Sequence, residues 1–525
     1  MIKGSSYIVK RIMLWAAVSV LALSCAGCGA SSDRDESERE EVVASDTEED
    51  DASDESEEEL FFESEEEKVS SEETESTTEE EESSEEETAV WIDVLDDGAQ
   101  LYVCTPPEYV ILQNAPGKEE ENGQTRLYPG TYLKWYGEQE TVEKKDYIRV
   151  TVLDTGEEGW IEFLYAVRVG YDPDVSVLDV VETDDPLYTY EMMVSDIDTL
   201  CGRYPEILHK NVIGQSVTGR SLYEVVLGNP DAKHHVMVQA TIHGREYVNT
   251  QLIMKLLEYY AYYYDKGVYG NVRYADLFDN TAFHVVTMAN PDGVVISQSG
   301  VDALENDDIS QTVRDAYERD KGTLVYEENS NGDLNWMDYY RDPTFTRESN
   351  PNASRMITYE EYQTIWKANA NGVDLNNNFD AAWADIDLKW APSYGSFKGY
   401  SAVSEPESQA LAAMAVSRDY ECYLSYHSTG QLIYYDCEGN SAAMSGIEED
   451  FAKFMREHIH HKISNNKSAY NVNLGGFGDW IQLSLNKPSL TIESGRKPCP
   501  LPINEFSAIW LRHRESWAAL AGEYY

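Results

Sequence analysis

Gln239-Ala240-Thr241-Ile242-His243-Gly244-Arg245-Glu246 separates an apolar run, His235 to Thr241, from a longer amphipathic segment, Val248 to Tyr264. The first run has the length of a strand and the second that of a helix, so the octapeptide is a strand-to-helix turn in an α/β domain. A histidine and a carboxylate three residues apart at such a turn can converge on one metal ion. Alone the pattern is weak, because ten histidines in a chain this rich in glutamate give about one such pair by chance.

The alternation of helix and strand patterns extends outward from this turn. Met192 to Tyr204 reads as a helix with Met193, Ile197 and Leu200 on its apolar face. Phe283 to Met288, Tyr423 to Tyr426 and Ser489 to Ile492 read as short buried strands. From residue 187 to 525 the chain is expected to form one large α/β domain, doubly wound around a mixed sheet. The tyrosine run Tyr259 to Tyr264 is expected to pack a helix end on that sheet. His458, His460 and His461 fall on an expected helix, Ile447 to Ile463, and are read as part of its solvated face.

Ordered companions follow the turn. They are Asn290-Pro291-Asp292-Gly293, Trp366-Lys367 with Asn371-Gly372-Val373-Asp374-Leu375-Asn376-Asn377-Asn378-Phe379, Ser404-Glu405-Pro406-Glu407, Ser425-Tyr426-His427-Ser428, Gly475-Gly476 with Asp479-Trp480, and Leu490-Thr491-Ile492-Glu493. Gly214-Gln215-Ser216-Val217-Thr218-Gly219-Arg220-Ser221 opens the domain. This constellation resembles the zinc carboxypeptidase family of the carboxypeptidase A type, and in particular its bacterial wall-peptide branch. The resemblance implies one zinc ion held by His243, Glu246 and His427, and Glu493 as general base for peptide hydrolysis. Two imidazoles and a carboxylate leave a fourth position for water.

Departures from the family pattern bear on the substrate. Asn371 and Asn377 stand where bacterial relatives carry arginines, and Lys367 stands where an arginine polarises the scissile carbonyl. Asn376 and Asn377 are thus the expected substrate-binding pair, without the charged fork that clamps a terminal carboxylate. Gly478 matches the floor of the specificity pocket and implies a roomy one. Tyr470 is the candidate for the mobile tyrosine that caps substrate. Arg496, Arg341 and Arg347 are candidates to replace the lost charge.

Composition organises the rest. The net charge is −57, and the stretch Ser31 to Val90 alone holds 30 Asp and Glu against three Lys and Arg. So charged a segment cannot bury enough apolar surface to offset its ordering entropy, which makes residues 29–88 a disordered acidic linker. The acidity argues against nucleic acid as a partner. Lys3, Lys10 and Arg11 precede the apolar run Ile12 to Leu23, a secretory signal pattern. Ser24-Cys25-Ala26-Gly27-Cys28-Gly29 resembles a bacterial lipobox, which implies a signal over 1–28, lipidation at Cys28 with Cys25 as the alternative, and anchorage on the outer face of a bacterial membrane.

Residues 89–170 read as a small all-β barrel of short strands: Leu101 to Val103, Thr131 to Tyr136, Tyr147 to Val152 and Gly159 to Ile161. Val110-Ile111-Leu112-Gln113-Asn114-Ala115-Pro116-Gly117, Tyr128-Pro129-Gly130 and Glu158-Gly159-Trp160-Ile161 resemble the bacterial SH3-type domain, which implies a spacer or a wall-binding module. Residues 171–186 form an acidic connector. The expected partners are a peptide substrate, with peptidoglycan stem peptides or other extracellular peptides as the implied class, and the membrane. A wall-binding protein whose peptidase domain has lost catalysis is the alternative. Cys104, Cys201, Cys422, Cys437 and Cys499 contain no CxxC pair and indicate no dense disulfide framework.

Overall fold

The computed structural model describes residues 97–525 apart from 107–108, 119–124, 170–174, 329–333, 343, 347–348, 351 and 469–473. The expected signal and lipidation site (Cys25, Cys28), the acidic linker, Arg347 and Tyr470 lie outside the described residues.

Five antiparallel strands come first: β1 (Gln100–Cys104), β2 (Tyr132–Val142), β3 (Lys145–Val152), β4 (Glu158–Glu162) and β5 (Ala166–Arg168), in the order β4-β3-β2-β1-β5. Val110–Ile111 pairs with Arg126–Leu127, and Gln113 bridges to Trp160. The strands alternate faces, so Leu133, Ile148, Val150 and Ile161 turn inward to a small core with Tyr102.

The large sheet has eight strands: β6 (Leu208–Gln215), β7 (Ser221–Leu227), β8 (His234–Ala240), β9 (Thr281–Val286), β10 (Cys422–Ser428), β11 (Leu432–Tyr435), β12 (Lys462–Asn465) and β13 (Ser489–Ser494). Their order is β12-β11-β13-β10-β8-β9-β7-β6. The central four, β13-β10-β8-β9, are parallel, and β11 and β7 flank them antiparallel. Parallel strands are buried on both faces, which is why they read as unbroken apolar runs. One face is covered by α1 (Tyr190–Arg203) and α2 (Val248–Tyr262), with Met193, Ile197 and Leu200 of α1 buried as its spacing predicts. The tyrosine run packs as expected. Tyr259 and Tyr260 are fully buried, and Tyr260 stacks on Trp517 at 6.0 Å between ring centres.

The histidine cluster corrects an expectation. The helix runs over Ala442–Ile459, and His460 takes a left-handed conformation (φ 52°) that turns the chain inward. His461 is therefore buried, 5.2 Å from the His513 ring, rather than on a solvated face. Burial lowers the basicity of His460 and His513, each pushed down to about 3, with the Arg512 cation beside them adding to the effect. Arg512 is itself buried and joins the two sheets: it donates to Ile459 O and His460 O on one side, and to Thr105 O and Leu164 O on the other, at 2.5 to 3.3 Å. All five cysteines among the described residues are free thiols.

Candidate metal centre and active site

Because the four central strands are parallel, their C-terminal ends meet along one edge of the sheet, where an α/β fold leaves a crevice. His243 and Glu246 follow β8, Asn290 follows β9, His427 lies near the end of β10, and Glu493 near the end of β13. His427 and Glu493 are direct partners across β10 and β13.

Close backbone approach holds the turn after β8. Thr241 leaves the strand at φ 57°, and its hydroxyl meets that of Thr250 at 2.8 Å. Gly244 donates to Lys367 O at 3.0 Å, and a Cβ on Gly244 would stand 2.3 Å from the carbonyl carbon of Gly293. Only glycine fits there. The buried Asn290 side chain donates to Ile242 O, Lys367 O and Ala368 O, each at 3.1 Å, and accepts from Gly293 N. Asp292, beside it, binds Thr218 N and the Arg220 guanidinium. The motifs around Asn290 and Thr218 are thus the frame that sets the His243 turn against the Lys367 segment.

Three buried donors converge within this frame. His243 Nδ1 lies 2.8 Å from Glu246 Oε1, His427 Nδ1 lies 3.2 Å from Glu246 Oε2, and the two Nδ1 atoms are 3.2 Å apart. The three side chains form the one candidate metal cluster found among the described residues. Tetrahedral bonds of about 2.0 to 2.1 Å place neighbouring donors about 3.3 Å apart, so the spacing fits zinc. Burial alone would raise the Glu246 carboxyl's pKa, but the neighbouring His243 and His427 hold it well below the usual carboxylate range.

Asp374 completes the arrangement. Its Oδ1 lies 3.3 Å from His243 Nε2, and its Oδ2 accepts from Ser396 N at 2.8 Å and faces Lys367 Nζ at 3.5 Å. Burial opposes its ionisation, yet Lys367 and His243 outweigh that and keep it ionised. A carboxylate behind a histidine ligand fixes which ring nitrogen faces the metal. Asp374 lies in the same segment as Asn376, and its distance from His243 Nε2 is what gives it this place.

A cavity of about 540 Å³ opens on these donors, lined also by Lys367, Asn376, Asn377, Gly478, Asp479 and Glu493. Burial pushes the Glu493 carboxyl up to about 7, against the opposing fields of His427 and Lys367. Asn376 Oδ1 accepts from Phe477 N at 3.0 Å, tying the Asn376 loop to the Gly476 turn. A Cβ at Gly478 would stand 3.2 Å from Ser489 Oγ, so the glycine leaves the floor open to polar groups. Tyr434, Asn466 and Thr491 line the same cavity, and the sequence did not single them out. Asp479 is half-buried there, its carboxyl pushed up to about 7 by burial.

The other polar positions go elsewhere. Asn371 donates to Glu405 Oε2 at 2.8 Å and does not line this cavity. Arg496 reaches Tyr165 Oη at 2.6 Å, and Arg341 binds Tyr340 Oη, so neither supplies the missing fork. Lys367 is the cavity's one cation among the described residues.

His243→Ala or His427→Ala should each lower bound zinc from about one equivalent to a small fraction, because two donors do not hold the ion. Metal analysis of the purified full chain checks this, and unchanged zinc in both variants would overturn the assignment of the donors.

A zinc carboxypeptidase model matches residues 193–516. A γ-D-glutamyl-L-diamino acid endopeptidase of Lysinibacillus sphaericus is 27% identical over 327 residues, covering 62% of this chain and 69% of its own length. The uncharacterized protein YqgT of Bacillus subtilis (strain 168) is 28% identical over 306 residues, 57% of this chain and 68% of its own. Carboxypeptidase A from Helicoverpa armigera matches in structure with a TM-score of 0.43 and 16% identity, over 82% of this chain and 99% of that one. With well over half of its length matched by the family model, the chain belongs to the zinc carboxypeptidase family and is a zinc metallopeptidase.

Proposed function

We propose that the protein hydrolyses amide bonds in peptidoglycan stem peptides outside the cell, without requiring a free terminal carboxylate. The observation that carries the reading is the pairing of Glu493 with His427 across neighbouring strands: it sets a proton acceptor beside the metal donors, in a cavity lined also by the amides of Asn376 and Asn377. Bound zinc supplies a Lewis acid for the attacking water and the scissile carbonyl. Glu493 takes the water's proton and delivers it to the leaving amine. Lys367 places its ammonium where negative charge develops on the carbonyl oxygen. Asn376, Asn377 and Gly478 receive the leaving-amine side of the substrate.

The name of the Lysinibacillus relative supports the substrate class. The amide side chains of Asn376 and Asn377 support indifference to a terminal carboxylate, since they cannot give the bidentate charged contact of a guanidinium. The antiparallel sheet over residues 97–169 is read as an SH3-type barrel that contacts the wall. Cys28 is read as the lipidated residue that tethers the enzyme through the acidic linker.

Glu493→Gln should keep zinc and lose turnover on muropeptides by about two to four orders of magnitude. Wild-type turnover in that variant, measured by mass spectrometry of the products, would remove Glu493 as the base.

Amidating the C-terminus of a cleavable peptide should change kcat/KM by no more than about threefold, whereas Asn377→Arg should favour the free acid by about tenfold. A strong preference for the acid form in the natural chain would overturn the reading of Asn377.

Labelled fatty acid should mark the full-length protein in a bacterial host, and Cys28→Ala should abolish the label. Label retained in Cys28→Ala and lost in Cys25→Ala would move the anchor to Cys25.

A further inference from the structure

Beside the active-site cavity lies a larger one, of about 880 Å³. The two adjoin on the side where Asn377 stands. Ile386 and Leu474 line the larger cavity, and Asn377 and Gly476 line the smaller. Gly475 lies between them at φ 102°, and a Cβ there would stand 2.7 Å from Ile386 Cδ1 and 3.2 Å from Asn377 O. A second seam joins Lys389, in the larger cavity, to Ser396, in the smaller, through the bond from Lys389 N to Ser396 O at 3.0 Å.

Trp390 lines the larger cavity and is 79% exposed. The segment that presents it is nevertheless fixed. The Lys389 ammonium is held by Asp338 and Ser393 at 2.9 and 3.0 Å, with Asp320 3.5 Å away, and it faces the rings of Tyr340 and Tyr394. Arg319 donates to Pro392 O and lays its guanidinium 5.8 Å from the centre of the Trp390 ring. An indole anchored through its chain neighbours and still bare is a preorganised contact, and a ligand that covers it removes apolar surface from water at little ordering cost. The charged wall is mixed, with Arg319 and Arg341 against Asp385, Asp387 and Glu438. That mixture suits neither a polyanion nor a polycation. It suits a peptide, whose amides each offer one donor and one acceptor, and whose small apolar side chains can lie on a ring.

We propose that this cavity is an extension subsite on the leaving side: it holds the peptide that continues past the residue bearing the leaving amine, with Trp390 and Arg319 as its main contacts. The proposal rests on the amidase reading above and deepens it by placing the rest of the substrate. Asn376, Asn377 and Gly478 receive the leaving residue. A guanidinium at position 377 would end the chain there by pairing with its terminal carboxylate. The neutral Asn377 amide does not, and the larger cavity begins next to it, across Gly475. The preferred substrate therefore runs on beyond the leaving residue, and a substrate truncated at that residue is the poorer one.

The test uses synthetic stem peptides of increasing length, each ending in an amide, with the cleaved bond mapped by mass spectrometry of the products. The zinc-loaded full chain should favour peptides that run two residues past the leaving residue over those that end at it, by about tenfold or more in kcat/KM. Trp390→Ala should bring that ratio close to one, and Arg319→Gln should lower it in part, with zinc content unchanged in both. General damage to the centre slows long and short peptides alike and leaves the ratio standing. Calorimetric binding of the same series to Glu493→Gln, with and without Trp390→Ala, should give the same ordering of affinities. A ratio near one in the natural chain, or a ratio that survives Trp390→Ala, overturns the subsite. A soluble chito-oligosaccharide that binds through Trp390, with no preference for longer peptides, overturns it in favour of a saccharide site. If no peptide is cleaved but affinity still rises with length and Trp390→Ala removes the rise, the amidase reading falls and the subsite stands. If none is cleaved or bound, both fall.

Discussion

The site depends on which nitrogen of His243 faces inward. Asp374 Oδ1 stands 3.3 Å from Nε2, and Nδ1 meets Glu246 and His427. Without the aspartate the ring could turn over or take the other tautomer, and the three donors would no longer share one centre. The aspartate in turn is buried and must stay charged to do this. Lys367 Nζ and the Ser396 amide keep it so, and Lys367 thereby serves two roles, one toward Asp374 and one toward the cavity. A buried carboxylate with a cation on one side and an imidazole on the other is costly to break, because removing one partner strands the rest.

That chain of contacts requires three distant segments to meet within about a van der Waals diameter. Gly244 against Gly293 is the closest approach: a side chain on Gly244 would push the β8 turn away from the helix that starts at Pro291, and one on Gly293 would strike Ala368 O and the Asn290 amide. Asn290 then closes the space with three donated bonds and one accepted bond, leaving no buried polar atom of its amide without a partner. Glu405 and Glu407 do similar work further back, gathering Asn369 and Asn371, and burial pushes Glu407 up to about 8. The asparagine at 371 is a frame residue here, which explains why it does not line the cavity.

Much of this was legible in the sequence because strand ends are. An apolar run of strand length that stops at His427 or Glu493 puts that residue at the edge of a buried sheet, and parallel strands put all such edges together. The helix at Tyr190–Arg203 was legible because its apolar spacing has the helical period and Thr189 caps it by accepting from Met192 N. The Arg319–Trp390 pair was not, since 71 positions separate them and no periodicity encodes a contact between segments. The burial of His461 was missed for a related reason. The pattern predicts a helix that runs past Ile459, but the left-handed turn at His460 ends it there. The role of Asp374 lay inside a motif that was read, and only its distance from His243 Nε2 shows what it does.

The joint between the two sheets follows from the same rule about buried charge, with a different outcome. Arg512 has four carbonyl oxygens as partners, and its neighbours His460 and His513 are held neutral by burial beside it. Carbonyls solvate a guanidinium without neutralising it, so losing any of the four would leave a further buried donor unpaired. Thr105 and Leu164 supply two of them from the N-terminal sheet, and Ile459 and His460 supply two from the far side. Neither side satisfies Arg512 alone. The N-terminal sheet is therefore a structural part of the peptidase and not a passenger on a flexible link, and its Tyr165 extends the contact to Arg496, three residues beyond Glu493. Arg512 and Arg496 are thus short connections between the N-terminal sheet and the α/β domain.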